Sequence, residues 1–269
     1  MTADAETRIR PGLLSITFRK LTVKRIIDLA VEAQLSAVEW GGDVHVPHGD
    51  LGTARAVRRM CGDHGLTISA YGSYYRAGGA PANPAIEAVL DTAAALGTTV
   101  VRVWAGDKGS AQSSDADRTA VATDLARCCG LAAAARGLTI ATEFHGGTLT
   151  DEIDSTLDLL GAVPGLMTFW QPPVGMDPAT ALAGLRRVRS RLSNVHVFHW
   201  WPDGAHRLPL ADGGDRWPAY LREAAEQSAA DGVVRYASLE FVADDDPEQF
   251  RRDAATLVGW LADPVESHC

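Results

Sequence analysis

A chain of 269 residues with 25 basic and 34 acidic side chains carries a formal net charge of -9, so it lacks the positive field that gathers nucleic-acid phosphates. Its 46% hydrophobic content is ordinary for a globular domain; no run of about 18 apolar residues offers a membrane span, and the N-terminal MTADAETRIRPG has no signal-peptide character. Cys61, Cys128, Cys129 and Cys269 lack CxxC spacing, which argues against a disulfide framework and for a reducing, cytoplasmic location.

Residues 12–18 read as the first strand, after which Thr22 caps a helix running to about residue 34. SAVEW (36–40) is the second strand, followed by a polar loop and a helix over 51–63. The third strand is 66–72, and the Gly-, Pro- and Tyr-rich SYYRAGGAPANP behind it has the length of a functional loop. A helix over 84–96 leads to strand four (98–106), a polar loop, and an alanine-rich amphipathic helix over 118–136. Strand five (138–144) precedes HGGTLTD and a helix over 151–160; strand six (166–170) precedes Gln171 and a helix over 179–190. Strand seven (193–200) opens the longest and most polar loop, 201–215. Strand eight is 234–241, and the last helix starts at Pro247 and ends near residue 261.

Eight strands alternating with helices, in a length near the roughly 250 residues of a (β/α)8 barrel, predict one such domain over residues 1–269. A doubly wound sheet fits the alternation too, but GxGxxG and GxxxxGK[ST] are absent.

A barrel buries the middles of its strands and exposes their carboxyl ends, so polar residues there are the candidate chemistry. Glu143 and Glu240 each end an apolar strand, where a carboxylate is costly unless paired or metal-bound. One reading is a buried salt bridge to a barrel arginine. The other is two carboxylates facing across a pocket, binding a metal and moving protons on opposite faces of a substrate. His196 and His199 share a strand, and alternation lets only one point inward unless the strand bulges. Gln171 offers an amide oxygen to a hard cation or to a substrate hydroxyl. His145, with glycines behind it, can polarise a substrate oxygen or hold Glu143. Glu39 and His45 are expected to support the site or contact substrate. Arg102 and Trp104 end strand four, and Trp40, Tyr71, Tyr74, Trp104, Trp170 and Trp200 offer rings on which sugar C–H faces stack. Arg207 and His206 alone are too few for a phosphate site. GxSxG is absent, and nucleophilic catalysis is not expected.

SAVEWGGDVHVPHGD, LTISAYGSYYR, VVRVWAG, LTIATEFHGGTLTD, RLSNVHVFHW and ASLEF together resemble the sugar isomerase/epimerase superfamily of xylose-isomerase-like barrels. That group includes ketose 3-epimerases, inosose dehydratases and an endonuclease IV branch. The resemblance implies a divalent metal, Mn²⁺, Mg²⁺ or Co²⁺, held by Glu, Asp, His and Glu from strands five to eight. Glu143 matches the first ligand and Glu240 the last. His196 fits the histidine without gaps; a bulge makes it His199. Gln171 departs from the usual Asp and removes one negative charge.

The implied chemistry is an enediolate formed by one glutamate and reprotonated by the other: a sugar or polyol isomerase or epimerase. A leaving group at the β carbon turns the same site into a dehydratase or lyase, with His145 as its acid. A third reading is a noncatalytic sugar-binding barrel whose metal site has decayed at Gln171. Glu143, Glu240 and His145 are thus the expected catalytic set; Glu143, Gln171, His196 and Glu240 the metal set; and Glu39, His45, Trp104, Gln171, His199 and Arg207 the substrate set. The expected partner is a small carbohydrate or polyol, with no nucleic acid and no membrane, and the family's habit of dimerising implies a homodimer.

Overall fold

A computed structural model describes residues 9–79 and 83–262. Strands β1 (Ile9–Leu14), β2 (Ala37–Gly41), β3 (Thr67–Arg76), β4 (Val100–Trp104), β5 (Thr139–Glu143), β6 (Met167–Trp170), β7 (Leu192–Val197) and β8 (Arg235–Leu239) pair in chain order, all parallel, and β8 closes on β1. Between them run α1 (Val23–Glu32), α2 (Leu51–Asp63), α3 (Ile86–Leu96), α4 (Asp115–Arg136), α5 (Ile153–Ala162), α6 (Pro178–Val188) and α7 (Trp217–Asp231), with α8 (Pro247–Ala262) last. This is the (β/α)8 barrel that the alternation predicts. Cys269, and residues 80–82 of the loop after β3, lie outside the described residues. Among the described residues no helix is long and apolar enough to cross a membrane.

Strand alternation builds two cores. Val38 and Trp40, Val101 and Val103, Ile140, Val195 and Val197, and Leu239 face outward into the helix-covered core. The opposite parity fills the barrel: Ala70, Ala141 and Phe169 form a small apolar layer, and two residues further along the same strands, on the same face, come Gly72, Glu143 and Gln171 of the site described below. On α4, Val121, Leu125, Cys128 and Ala132 are buried at helical spacing, the stripe that docks this long helix. Its start is earlier than the expected 118, because Ser114 and Asp117 form a reciprocal capping box. Thr22 caps α1 as expected, accepting from the backbone of Arg25.

Two boundaries differ in ways that matter. β1 ends at Leu14, and Ser15–Phe18 is a buried 3-10 turn rather than strand. Its hydroxyls serve the barrel mouth: Gly41 N–H donates to Ser15 Oγ at 2.9 Å and Phe241 N–H to Thr17 Oγ1 at 3.1 Å. β3 continues through Ser73, Tyr74, Tyr75 and Arg76, a segment expected as loop. Its pairing with β4 shifts register between Gly72 and Arg76, and Tyr74 takes a left-handed φ of 56° that swings the following residues over the mouth.

Candidate active site

Five strands each deliver one buried charged or ionisable side chain to the inside of the barrel near its carboxyl end. They are Glu39 from β2, Arg102 from β4, Glu143 at the end of β5, His196 from β7 and Glu240 just past β8. The Arg102 guanidinium is the hub. Its Nε donates to Glu39 Oε1 at 2.6 Å and its Nη1 to Glu143 Oε2. Gly72 makes room for this hub: a Cβ there would sit 2.6 Å from Arg102 Nη2 and 3.1 Å from Glu39 Oε1.

The second oxygen of Glu39 lies 3.1 Å from His196 Nε2. A carboxylate on Nε2 makes that nitrogen a donor and turns Nδ1 toward the pocket, where its lone pair would be free for a cation once its proton is given up. Around Nδ1 stand Gln171 Oε1 at 3.2 Å, Glu143 Oε1 at 3.4 Å and Glu240 Oε2 at 3.6 Å. The Phe169 ring backs the imidazole, 5.1 Å from it.

The two glutamates live differently. Glu143 Oε2 accepts from Arg102 and from the Trp104 indole N–H at 2.5 Å. Burial pushes the Glu143 pKa up, but Arg102 and then His196 outweigh it and hold the carboxyl well below the usual range. Glu240 Oε2 is buried without a hydrogen bond, and burial, reinforced by the charges of Glu143 and Glu39, raises its pKa despite His196. Burial alone would lower the pKa of His196; the carboxylates Glu39 and Glu240, with Glu143, reverse the sign and raise it.

These residues fit a divalent cation. Glu143, His196 and Glu240 each offer a ligand atom, all within 4.8 Å of one another, and Gln171 Oε1 adds a fourth. Ligand atoms bound at about 2.1 Å to one cation stand about 3.0–3.4 Å apart, close to the spacings about Nδ1. The orphaned Glu240 Oε2 is the atom that such an ion would satisfy. Gln171→Asp adds a negative charge to this set, and Mn²⁺ titration by calorimetry should show the variant binding at least about tenfold more tightly than the parent. Equal affinities would place residue 171 outside the ligand set.

At the rim, the His145 ring stacks on Trp104 at 5.0 Å and its Nδ1 lies 2.6 Å from Gly146 O, which leaves Nε2 open toward the mouth. Tyr74 meets the Trp104 ring edge-on at 5.4 Å.

The structure thus brings together Glu39, Glu143, Gln171, His196 and Glu240, with Trp104 and His145 above them. It does not bring in three others of the expected substrate set. His45 spends its ring nitrogens on Ser15 Oγ and Leu21 O, at 3.1 and 3.2 Å. His199 lies beyond the end of β7, buried beside Gly213 outside the barrel; the register shift of β7 against β6 falls before His196 and leaves the two histidines on opposite faces. Arg207 pairs with Asp245 at 2.9 Å and covers the Phe241 ring. Glu39 is held beneath the pocket by Arg102 and His196 rather than facing a substrate. Trp40 and Trp170 are core residues, 0% and 1% exposed, not stacking platforms. Arg102 is the residue whose role the sequence left open; the signal was an arginine at inward parity in an otherwise apolar strand.

Residues 27–260 match the family model described as a xylose isomerase-like TIM barrel. A curated relative, the 3-dehydroshikimate dehydratase of Bacillus anthracis, is 35% identical over 168 residues. That match spans 54% of this chain and 56% of the relative's length. Among solved structures, the probable 3-DHS dehydratase AsbF of Bacillus anthracis aligns with a TM-score of 0.74 at 20% identity, covering 93% of this chain and 98% of that one. The IolI protein with a binding zinc atom aligns with a TM-score of 0.69 at 13% identity, over 94% of this chain and 98% of that one. An L-ribulose 3-epimerase aligns at 0.68 and 16% identity, over 94% of each chain.

Proposed function

The chain belongs to the xylose isomerase-like TIM barrel family, and within that family we propose that it is a metal-assisted dehydratase acting on a small β-hydroxy ketone. The observation that carries this reading is the inequality of the two glutamates. Epimerisation needs a second carboxylate that holds a proton and returns it from the opposite face. Glu143 is poorly suited to that, because Arg102 and Trp104 keep it ionised. Elimination needs one base and an acid for the leaving oxygen, and Glu240 with His145 supplies both. The named activity of the curated dehydratase relative supports the same choice.

A divalent ion held by Glu143, Gln171, His196 and Glu240 would supply Lewis-acid polarisation of the ketone and acidify the neighbouring C–H. Glu240 takes that proton through the carboxylate oxygen not facing the ion, and the C–H electron pair passes to the ketone oxygen as an enolate. Collapse of the enolate forms the new C=C bond as the β C–O bond breaks. His145, whose Nδ1 rests against Gly146 O, gives a proton from Nε2 to the leaving hydroxyl, which departs as water. Solvent then resets both groups. Trp104 and Tyr74 wall the mouth on the side of Glu143.

3-Dehydroshikimate has the required pattern, a ketone with hydroxyls on the α and β carbons; loss of one water and tautomerisation give 3,4-dihydroxybenzoate. Incubation of the Mn²⁺-loaded protein with this acid, and separately with ketohexoses, in deuterated water tests the reading. The expected result is an aromatic ultraviolet band from the acid and no stereochemical change in the ketoses. Deuterium at C3 of an epimerised ketose, without loss of water, would establish the isomerase or epimerase reading instead.

A further inference from the structure

Arginines around the barrel mouth are mostly neutralised. Arg19 pairs with Asp43, Arg207 with Asp245 at 2.9 Å, and Arg216 with Asp215 at 2.8 Å. Arg76, at the end of β3, is the exception: among the described residues no carboxylate forms an ion pair with it, although Asp107 is near enough to act on it through space. Its guanidinium carbon sits over Trp104, 3.7 Å from the ring centroid, and its Nη1 donates to Gly106 O at 3.3 Å. The backbone is pinned on both sides by one amide: Arg76 N–H donates to Asn83 Oδ1 at 2.9 Å, and Asn83 Nδ2 donates to Arg76 O at 2.5 Å. This is a half-buried cation held by stacking and by a fixed main chain, with donor capacity left over. It is one indole ring away from Glu143, since the same Trp104 donates to that carboxylate.

We infer that Arg76 is the specificity-determining anchor for a carboxylate on the substrate, so that the site selects a keto acid over a neutral sugar. The inference rests on the elimination reading for the identity of the acid, but the anchor itself is a matter of binding. Geometry favours a planar carboxylate. A guanidinium that spends its face on a ring keeps N–H edges free in its own plane, the edges a carboxylate engages in two parallel hydrogen bonds. Charge favours it as well. The interior holds three carboxylates, Glu39, Glu143 and Glu240, against Arg102 and His196, so an anion would be repelled from the mouth unless a cation there received it.

The test uses two probes that share a catechol and nearly the same shape, 3,4-dihydroxybenzoate and 3,4-dihydroxybenzamide, of which only the first carries a charge and two acceptor oxygens. Their binding to the Mn²⁺-loaded protein is followed by calorimetry for wild type, Arg76→Gln and Arg76→Lys. Gln keeps a planar group on Trp104 and removes the charge; Lys keeps the charge. The expected result is that Arg76→Gln weakens the acid roughly 10- to 100-fold and the amide less than about 3-fold, with Lys recovering part of the loss. Equal effects on acid and amide, no effect on either, or failure of wild type to prefer the acid would overturn the inference. Arg76-dependent binding of the acid with no turnover of 3-dehydroshikimate would uphold the anchor while sinking the dehydratase reading.

Discussion

Glu240→Gln is expected to lower turnover by roughly 10³-fold or more, the scale on which a positioned general base contributes, while the folded protein stays at least as stable as wild type. Glutamine fills the same volume and keeps one carbonyl oxygen for a cation, but it cannot take a proton. Stability is spared because Glu240 Oε2 has no hydrogen bond to lose. Burial raises the Glu240 pKa in the folded state. Such a group favours folding below its unfolded pKa, and that contribution fades as pH rises through the higher folded pKa. In the metal-free protein, wild type should therefore lose stability from the ordinary carboxylate range toward neutrality by this group, and Glu240→Gln should not. Thermal unfolding of the two metal-free proteins between pH 5 and pH 8, set beside initial rates with metal, checks both halves. A variant that unfolds early and is also inactive would make Glu240 a structural residue and remove it as the base.

The same site shows why some of it was legible in the sequence and some was not. Glu143, His196 and Glu240 were readable because a charged residue at the close of an apolar strand has few physical explanations, and alternation fixes which face it takes. His199 shows the other side of that rule: three residues from His196, it passes the end of β7 and leaves the barrel. Loop residues such as His45 and Arg207 carry no such constraint, and local hydrogen bonds captured them. Of the two readings offered for Glu143, the salt bridge to a barrel arginine is present, and it leaves the other open, because one oxygen serves Arg102 while the other faces His196. The length of β3 was hidden by SYYRAGG, whose glycines and left-handed Tyr74 resemble a loop; the register shift that keeps Arg76 paired with β4 depends on tertiary contacts.

Arg102→Met should be the most damaging single change to the fold, costing about 3–5 kcal/mol, the range for stripping one partner from a buried ion pair. Arg102 is 3% exposed and joins Glu39 and Glu143, which are 1% and 3% exposed at the side chain. Without it, three glutamates share one dry space with His196 as their remaining counter-charge, and at least one must take up a proton. Glu39 then has no fixed orientation, and the tautomer of His196 loses its support. Lysine is a poor rescue: a single ammonium cannot present one edge to Glu39 and another to Glu143, and its added desolvation is larger. Urea denaturation of wild type, Arg102→Met, Arg102→Lys and the double variant Arg102→Met with Glu39→Gln gives the measurement. The double variant should regain part of the loss, because it removes one of the carboxylates stranded by the first change. Strict additivity, or a loss under about 1 kcal/mol for Arg102→Met, would mean that the carboxylates are solvated in solution and that the closed network around His196 is not what positions the site.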